Sequence, residues 1–185
     1  EGATLFSEKR LRTDFPCAWR YLKVCESRLR ARERGRMDEN GWWAYGRAQN
    51  LDQFEQPKVM LPGFNDSPAA AYDSAGIYYQ VSGYSLTLSA KSFIDLKTLE
   101  ALLNSRLLFW TLLRVGVALQ RGFVEFRPQY LDQLPIVRPS TKQASILRSI
   151  ADQGAKHGYD SVASELDGVV YELYGLSADE IAVVE

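Results

Sequence analysis

The sequence predicts an α+β fold: a mixed α/β core with short strands and a buried leucine-rich helix, followed by a helical C-terminal tail. Three features point to it. Short β-rich runs bounded by Pro and Gly lie between residues 57 and 88, leucines recur at helical spacing from Leu96 to Leu113, and the chain past Pro139 keeps a helical period. A hydrophobic fraction of 46% and four tryptophans in 185 residues suffice for a packed core, so global disorder is excluded.

The first segment, FPCAWRYLKVCESRLRARERGR, opens with Pro16, which a first helical turn accepts. Ala18, Leu22, Cys25 and Leu29 share one face, so it reads as a single amphipathic helix with its arginines outside, ending near Gly35. WWAYGRAQN has neither period and reads as a loop or irregular strand, and LDQFEQ as a short helix. PKVMLPGF is a short buried strand between prolines. SPAAAYDSAGIYYQVSGYSLTL reads as strand, turn, strand, with the turn at Asp73 to Gly76 and β-rich runs at Ile77–Val81 and Tyr84–Leu88. DLKTLEALLNSRLLFWTLLRVG carries Leu96, Leu99, Leu103, Leu107, Trp110 and Leu113 at helical spacing, with apolar residues on more than one side. Gly122 permits a turn, Phe123 and Val124 a strand, and Pro128 excludes a central-strand position. QYLDQLPIV makes one helical turn, broken by Pro135. The tail reads as a helix with Ile146, Ile150 and Ala151 inward, then a third helix stopped at Gly175 and a short fourth with Ser177 and Glu180 as a capping box.

Composition bounds the function. No apolar run approaches the roughly 18 residues that span a bilayer, and no signal-peptide pattern opens the chain. Cys17 and Cys25 lie eight apart in one helix, about 12 Å by helical rise, too far for a disulfide; reduced thiols and a cytoplasmic location are expected. The net charge is only −1, but it is unevenly spread. Arg20, Lys23, Arg28, Arg30, Arg32, Arg34 and Arg36 face only Glu26 and Glu33 in the same stretch, whereas no Lys or Arg follows Lys156. That distribution allows a local basic surface on a near-neutral molecule, or simply a solvated helix face with an acidic tail.

Catalytic signatures are scarce. His157, the one histidine, stands beside Gly158 at a helix end and reads as a turn residue favoured by the helix dipole. One His, two cysteines on one helix and no acidic triplet argue against a metal site. The chain has no P-loop, GxGxxG or GxSxG, and no Asn-Pro-Pro-Tyr or Asp-Pro-Pro-Tyr tetrapeptide of the kind that holds a flipped adenine. Recognition chemistry is better represented. Trp42, Trp43, Tyr45, Arg47, Gln49 and Asn50 are types that contact nucleic acid: arginine forks onto guanine, Gln and Asn onto adenine, and rings pack on bases and sugars. The same composition in a loop can also just close a core. Arg121, Arg127, Gln129 and Tyr130 form a second group, in which Tyr130 favours core packing and the arginines suit phosphates or base edges. Arg114 caps the end of its helix.

In order, FPCAWRYL, WWAYGRAQNLDQFEQPKVMLPGF, GYSLTL, LEALLNSRLLFWTL and RGFVEFRPQYLDQLPI resemble the TaqI-like C-terminal specificity domain, the target-recognition part of adenine-specific DNA methyltransferases and fused type II restriction-modification enzymes. The closing VVYELYGLSADEIAVVE is similar to the end of such polypeptides. The departure is Ala48 in GRAQN, where the family pattern suggests proline. The resemblance implies a recognition domain over residues 14–139 and a C-terminal helical segment over 140–185. It further implies that the chain, which begins at Glu1 without an initiator Met, is a fragment of a parent enzyme. Its partners would be double-stranded DNA and the enzyme's own N-terminal methyltransferase domain, with no membrane. That domain would bind S-adenosylmethionine and methylate a flipped adenine at N6, with Mg2+ needed if a nuclease is fused; the fragment itself would hold no cofactor and no catalytic residue. The expected DNA contacts are Trp42, Trp43, Tyr45, Arg47, Gln49, Asn50, Arg121, Arg127 and Gln129. The alternative is a protein-interaction or structural domain that docks its leucine helix and acidic tail onto another subunit; a self-sufficient enzyme would need a cleft with paired titratable groups.

Overall fold

Ser7 begins the first helix of the computed structural model, which describes residues 5–37, 41–46 and 53–185: its hydroxyl accepts from the Arg10 amide and caps α1 (Glu8–Asp14). The sequence pattern signals no helix there, because Leu11 is its one buried residue. The single helix expected from Pro16 to Gly35 is instead α2 (Pro16–Val24), α3 (Glu26–Arg30) and a 3-10 turn (Arg32–Gly35). The first break falls at Cys25, φ −92° and ψ 1°, whose N–H is shared between the Tyr21 and Leu22 carbonyls. The second falls where Glu33, Arg34 and Gly35 take φ of 50°, 62° and 83°. Of the expected face, Leu22 and Leu29 pack half-buried against the cluster of Leu11, Trp19 and Trp42 and Cys25 is half-buried, whereas Ala18 is exposed and Trp19 takes the inward place beside it.

The chain divides into two compact units, Glu1–Phe54 and Glu55–Glu185. Residues 53–56 form turns rather than the expected short helix, while positions 51 and 52 lie outside the described residues. β1 (Lys58–Leu61), β2 (Phe64–Asn65), β3 (Ala71–Asp73) and β4 (Tyr84–Leu86) follow. β1 is the central strand of an antiparallel sheet ordered β3-β1-β4, with Val59 opposite both Tyr72 and Leu86. The expected hairpin therefore does not form: β3 and β4 flank β1, and Ile77–Val81 is not a strand. The cause is local. The Asp73 carboxylate accepts from the amides of Ile77 and Tyr78, at 3.2 and 2.9 Å, and turns the chain off the ladder.

The expected long leucine helix is two, α4 (Leu96–Leu103) and α5 (Arg106–Val115). Asp95 caps the first and Ser105, extended at φ −76° and ψ 150°, caps the second. Between them, Asn104 turns its amide group away: Oδ1 accepts from Ala70 N at 3.0 Å and Nδ2 donates to Ala70 O at 2.9 Å, while Glu100 accepts from Tyr72 N at 3.1 Å. Every residue from Thr98 to Leu103 is buried, which accounts for the apolar surround.

β5 (Val124–Glu125) pairs with β2, and α6 (Pro128–Leu131) is the single turn anticipated, with Pro128 in its first turn. α7 (Thr141–His157), α8 (Ala163–Tyr174) and α9 (Ala178–Val184) complete the fold, with capping boxes at Ser140/Gln143 and Ser177/Glu180. Leu147, Ile150 and Ala151 of α7 are fully buried, and one core runs from Val59 in β1 to Val184 in α9. Each fully buried Leu or Ile contributes about 1.5–3 kcal/mol relative to exposure. The α+β class is confirmed, with short antiparallel sheets and a helical C-terminal part. Among the described residues no helix is long and apolar enough to cross a membrane.

Candidate nucleic-acid interface

In the unit Glu1–Phe54 the tryptophans settle the local architecture. Trp19, Trp42 and Trp43 pack with ring centroids 5.6–5.7 Å apart, two of the three pairs edge to face. Trp42 is only 3% exposed; Trp43 is half-buried and its indole N–H donates to Phe6 O at 2.9 Å. The turn carrying them is tied by Arg32, whose guanidinium donates to the carbonyls of Leu29, Trp42 and Ala44 at 2.8–2.9 Å. Tyr45, just beyond, is 72% exposed. Arg47, Gln49 and Asn50 lie outside the described residues.

The basic run is partly engaged within its own unit. Lys23 and Arg30 both bond Glu26, holding its carboxyl below the usual glutamate range, and Arg32 is occupied by carbonyls. Arg20, Arg28, Arg34 and Arg36 are exposed, and among the described residues none has an ion-pair partner. They are free to meet an anion.

In the unit Glu55–Glu185, the segment after α5 folds back on itself. Ala118 bridges Val124, and Leu119 N donates to Phe123 O at 2.7 Å, so Gln120, Arg121 and Gly122 form a tight tip. Arg121 holds a left-handed backbone, φ 64° and ψ 28°, a region a side-chain-bearing residue enters at a cost of roughly 1–3 kcal/mol. Its side chain is exposed. Arg127 is fixed differently: its guanidinium makes two bonds to Glu125, 2.8 and 2.9 Å, with half of the arginine side chain still open to solvent. Gln129 is exposed in α6, where its carbonyl accepts from the Gln133 side chain, and Tyr130 is half-buried against the core. Arg114 reaches back to the Trp110 carbonyl and lies 3.3 Å over its ring, so it serves its own helix.

The structure thus joins Trp42, Trp43 and Tyr45 in one turn, and Arg121, Arg127 and Gln129 along one arm. It also contains anchors that residue spacing did not signal. Lys58 and Asp73 form a buried ion pair at 2.6 Å across the β1–β3 pair. Burial alone would raise the Asp73 carboxyl, but the Lys58 bond and the two amides outweigh it and bring it down to about 2. A lysine at the start of an apolar strand and an aspartate before a glycine turn look like surface residues in sequence; only their cross-strand register brings them together. Among the described residues no group of His, Cys, Asp or Glu is arranged to hold a metal ion.

Residues 13–136 match the family model of the TaqI-like C-terminal specificity domain. No curated protein matched the chain.

Proposed function

The chain belongs to the TaqI-like C-terminal specificity domain family, and on that premise we propose that it binds duplex DNA and places the target adenine before a methyltransferase domain outside this chain. S-adenosylmethionine, and Mg2+ where a nuclease is fused, would belong to those other parts of a cytoplasmic enzyme. Residues 14–139 would form the recognition region and 140–185 a helical support. The observation that carries the reading is Arg121, held with a strained backbone at the tip of a hydrogen-bonded turn and open to solvent. Strain of this kind persists where the surrounding structure imposes it, and it presents a guanidinium at little further entropic cost. Arg121 and Arg127 would contact phosphates or guanine edges. Gln129, Tyr45, Arg47, Gln49 and Asn50 would supply further contacts, with Trp42 and Trp43 acting mainly by holding Tyr45 in place.

The test is binding of short random-sequence duplexes to this chain across a salt series. Each phosphate contact contributes a slope of about −0.9 in log affinity against log salt. Arg121→Ala and Arg127→Ala should each weaken binding and flatten the slope by about that amount, with the melting temperature nearly unchanged. Wild-type binding that is indifferent to salt would favour an apolar docking role, and two variants indistinguishable from wild type would remove these arginines from the interface.

A further inference from the structure

Residues 74–90 carry no charged side chain, and within them Ile77, Tyr78, Tyr79 and Val81 are all strongly exposed, Tyr78 by 62%. Four consecutive-range apolar and aromatic side chains facing solvent would ordinarily belong to a floppy loop. This loop is held in several places. At its start, the buried Asp73 carboxylate accepts from the Ile77 and Tyr78 amides while paired to Lys58. Gly76, φ 65°, presses so close to β1's approach that a methyl there would meet Glu55 O at 2.4 Å; at Gly83, φ 124°, one would meet Leu61 O at 2.3 Å. Between these points the Tyr79 hydroxyl bonds Glu55 and the Gln80 amide bonds Ser85.

The loop also adjoins the arginine arm. A methyl at Gly63 would lie 3.3 Å from Ser82 Oγ, while the Gly63 carbonyl accepts from Phe126 N, beside Arg127. The next residue, Phe64, is exposed and packs edge to face on Phe123 at 5.9 Å. Gly63 is therefore the meeting point of an uncharged aromatic loop and a cationic arm.

We infer that the loop Ile77–Val81 enters a DNA groove and sets sequence preference, with Tyr78 and Val81 packing on base edges, thymine methyls or sugar faces while the arginine arm holds the backbone. This rests on the duplex-recognition reading above. The chemistry divides accordingly: an uncharged loop gains nothing from phosphates but loses nothing by approaching them, and its ring and methyl surfaces match the apolar features of the groove. Its prior fixation lowers the ordering cost of binding.

The experiment selects from a random-sequence duplex pool with this chain and with Tyr78→Ala and Val81→Ala, then compares enriched sequences, affinity and salt slope. Neither side chain makes a hydrogen bond among the described residues, so melting should match wild type. The expected result is a loss of about tenfold in preference at one or more base pairs with the salt slope retained. The same sequence enriched to the same degree by both variants overturns the groove assignment and leaves duplex recognition standing. So does a wild type that binds with salt dependence but enriches no sequence, or a uniform loss with a flatter slope, which would make the loop a phosphate contact. A wild type that binds no duplex defeats the recognition reading, and this inference with it.

Discussion

Replacing Asp73 with Asn keeps the shape and removes one charge, and the structure sets the size of the effect. Asp73 serves three donors, the Lys58 ammonium and the amides of Ile77 and Tyr78, in a site where both side chains are almost wholly buried. An asparagine offers one acceptor oxygen in place of two. It takes the Asp73 charge away from a lysine that is 0% exposed, a loss of up to about 5 kcal/mol, and frees one loop amide, about 1 kcal/mol more. The Asp73 carboxyl is brought down from an ordinary 3.8 to about 2 in the folded chain, so the stability it adds is fully present above the ordinary value and is lost as the pH falls through the folded one. The penalty should thus be large at pH 7 and shrink as the pH falls from about 4 toward 2. Urea unfolding of wild type and Asp73→Asn at several pH values measures it. A difference below about 1 kcal/mol at pH 7, or one that does not change with pH, would refute the account of a buried ion pair anchoring the loop.

Two further predictions concern other anchors. Glu100 is buried; burial raises its carboxyl pKa above the usual range and outweighs the Tyr72 amide that lowers it. A raised carboxyl adds stability that is present below the unfolded value and is lost as pH rises through the folded one, so Glu100→Gln should be as stable as wild type in acid and more stable near pH 8, by thermal melts at both. Arg32→Ala removes three carbonyl contacts around the tryptophan turn and should lose about 2 kcal/mol; tryptophan emission should move to longer wavelength as Trp42 meets water, an outcome Arg32→Lys should only partly avoid.

The helical tail was legible because its signals are local. Ser140, Ser177 and Gly175 act on their own neighbours, and the capping boxes form where the residues stand. The strand β1 was legible for the same reason, between its prolines. What sequence could not show depended on distant partners. The leucine helix breaks at Asn104 because that side chain bonds Ala70, thirty-four positions away. Ile77–Val81 has the composition of a strand, yet β1 already has both neighbours and Asp73 holds the following amides. Among the recognition residues, composition pointed to the exposed Arg121 and Tyr45 and equally to Trp42, whose ring the fold buries. Residue type does not reveal which side of a turn faces inward.

The bonds from Asn104 and Glu100 to Ala70 and Tyr72 do more than break a helix. They occupy the N–H and carbonyl of Ala70, just before β3, and the N–H of Tyr72 within it, groups that would otherwise invite a strand from a neighbouring molecule. On that side amide and carboxyl groups stand where a further strand would pair, which works against templated growth there. Asn104→Leu would free the Ala70 groups, and the harm would show as aggregation at high concentration.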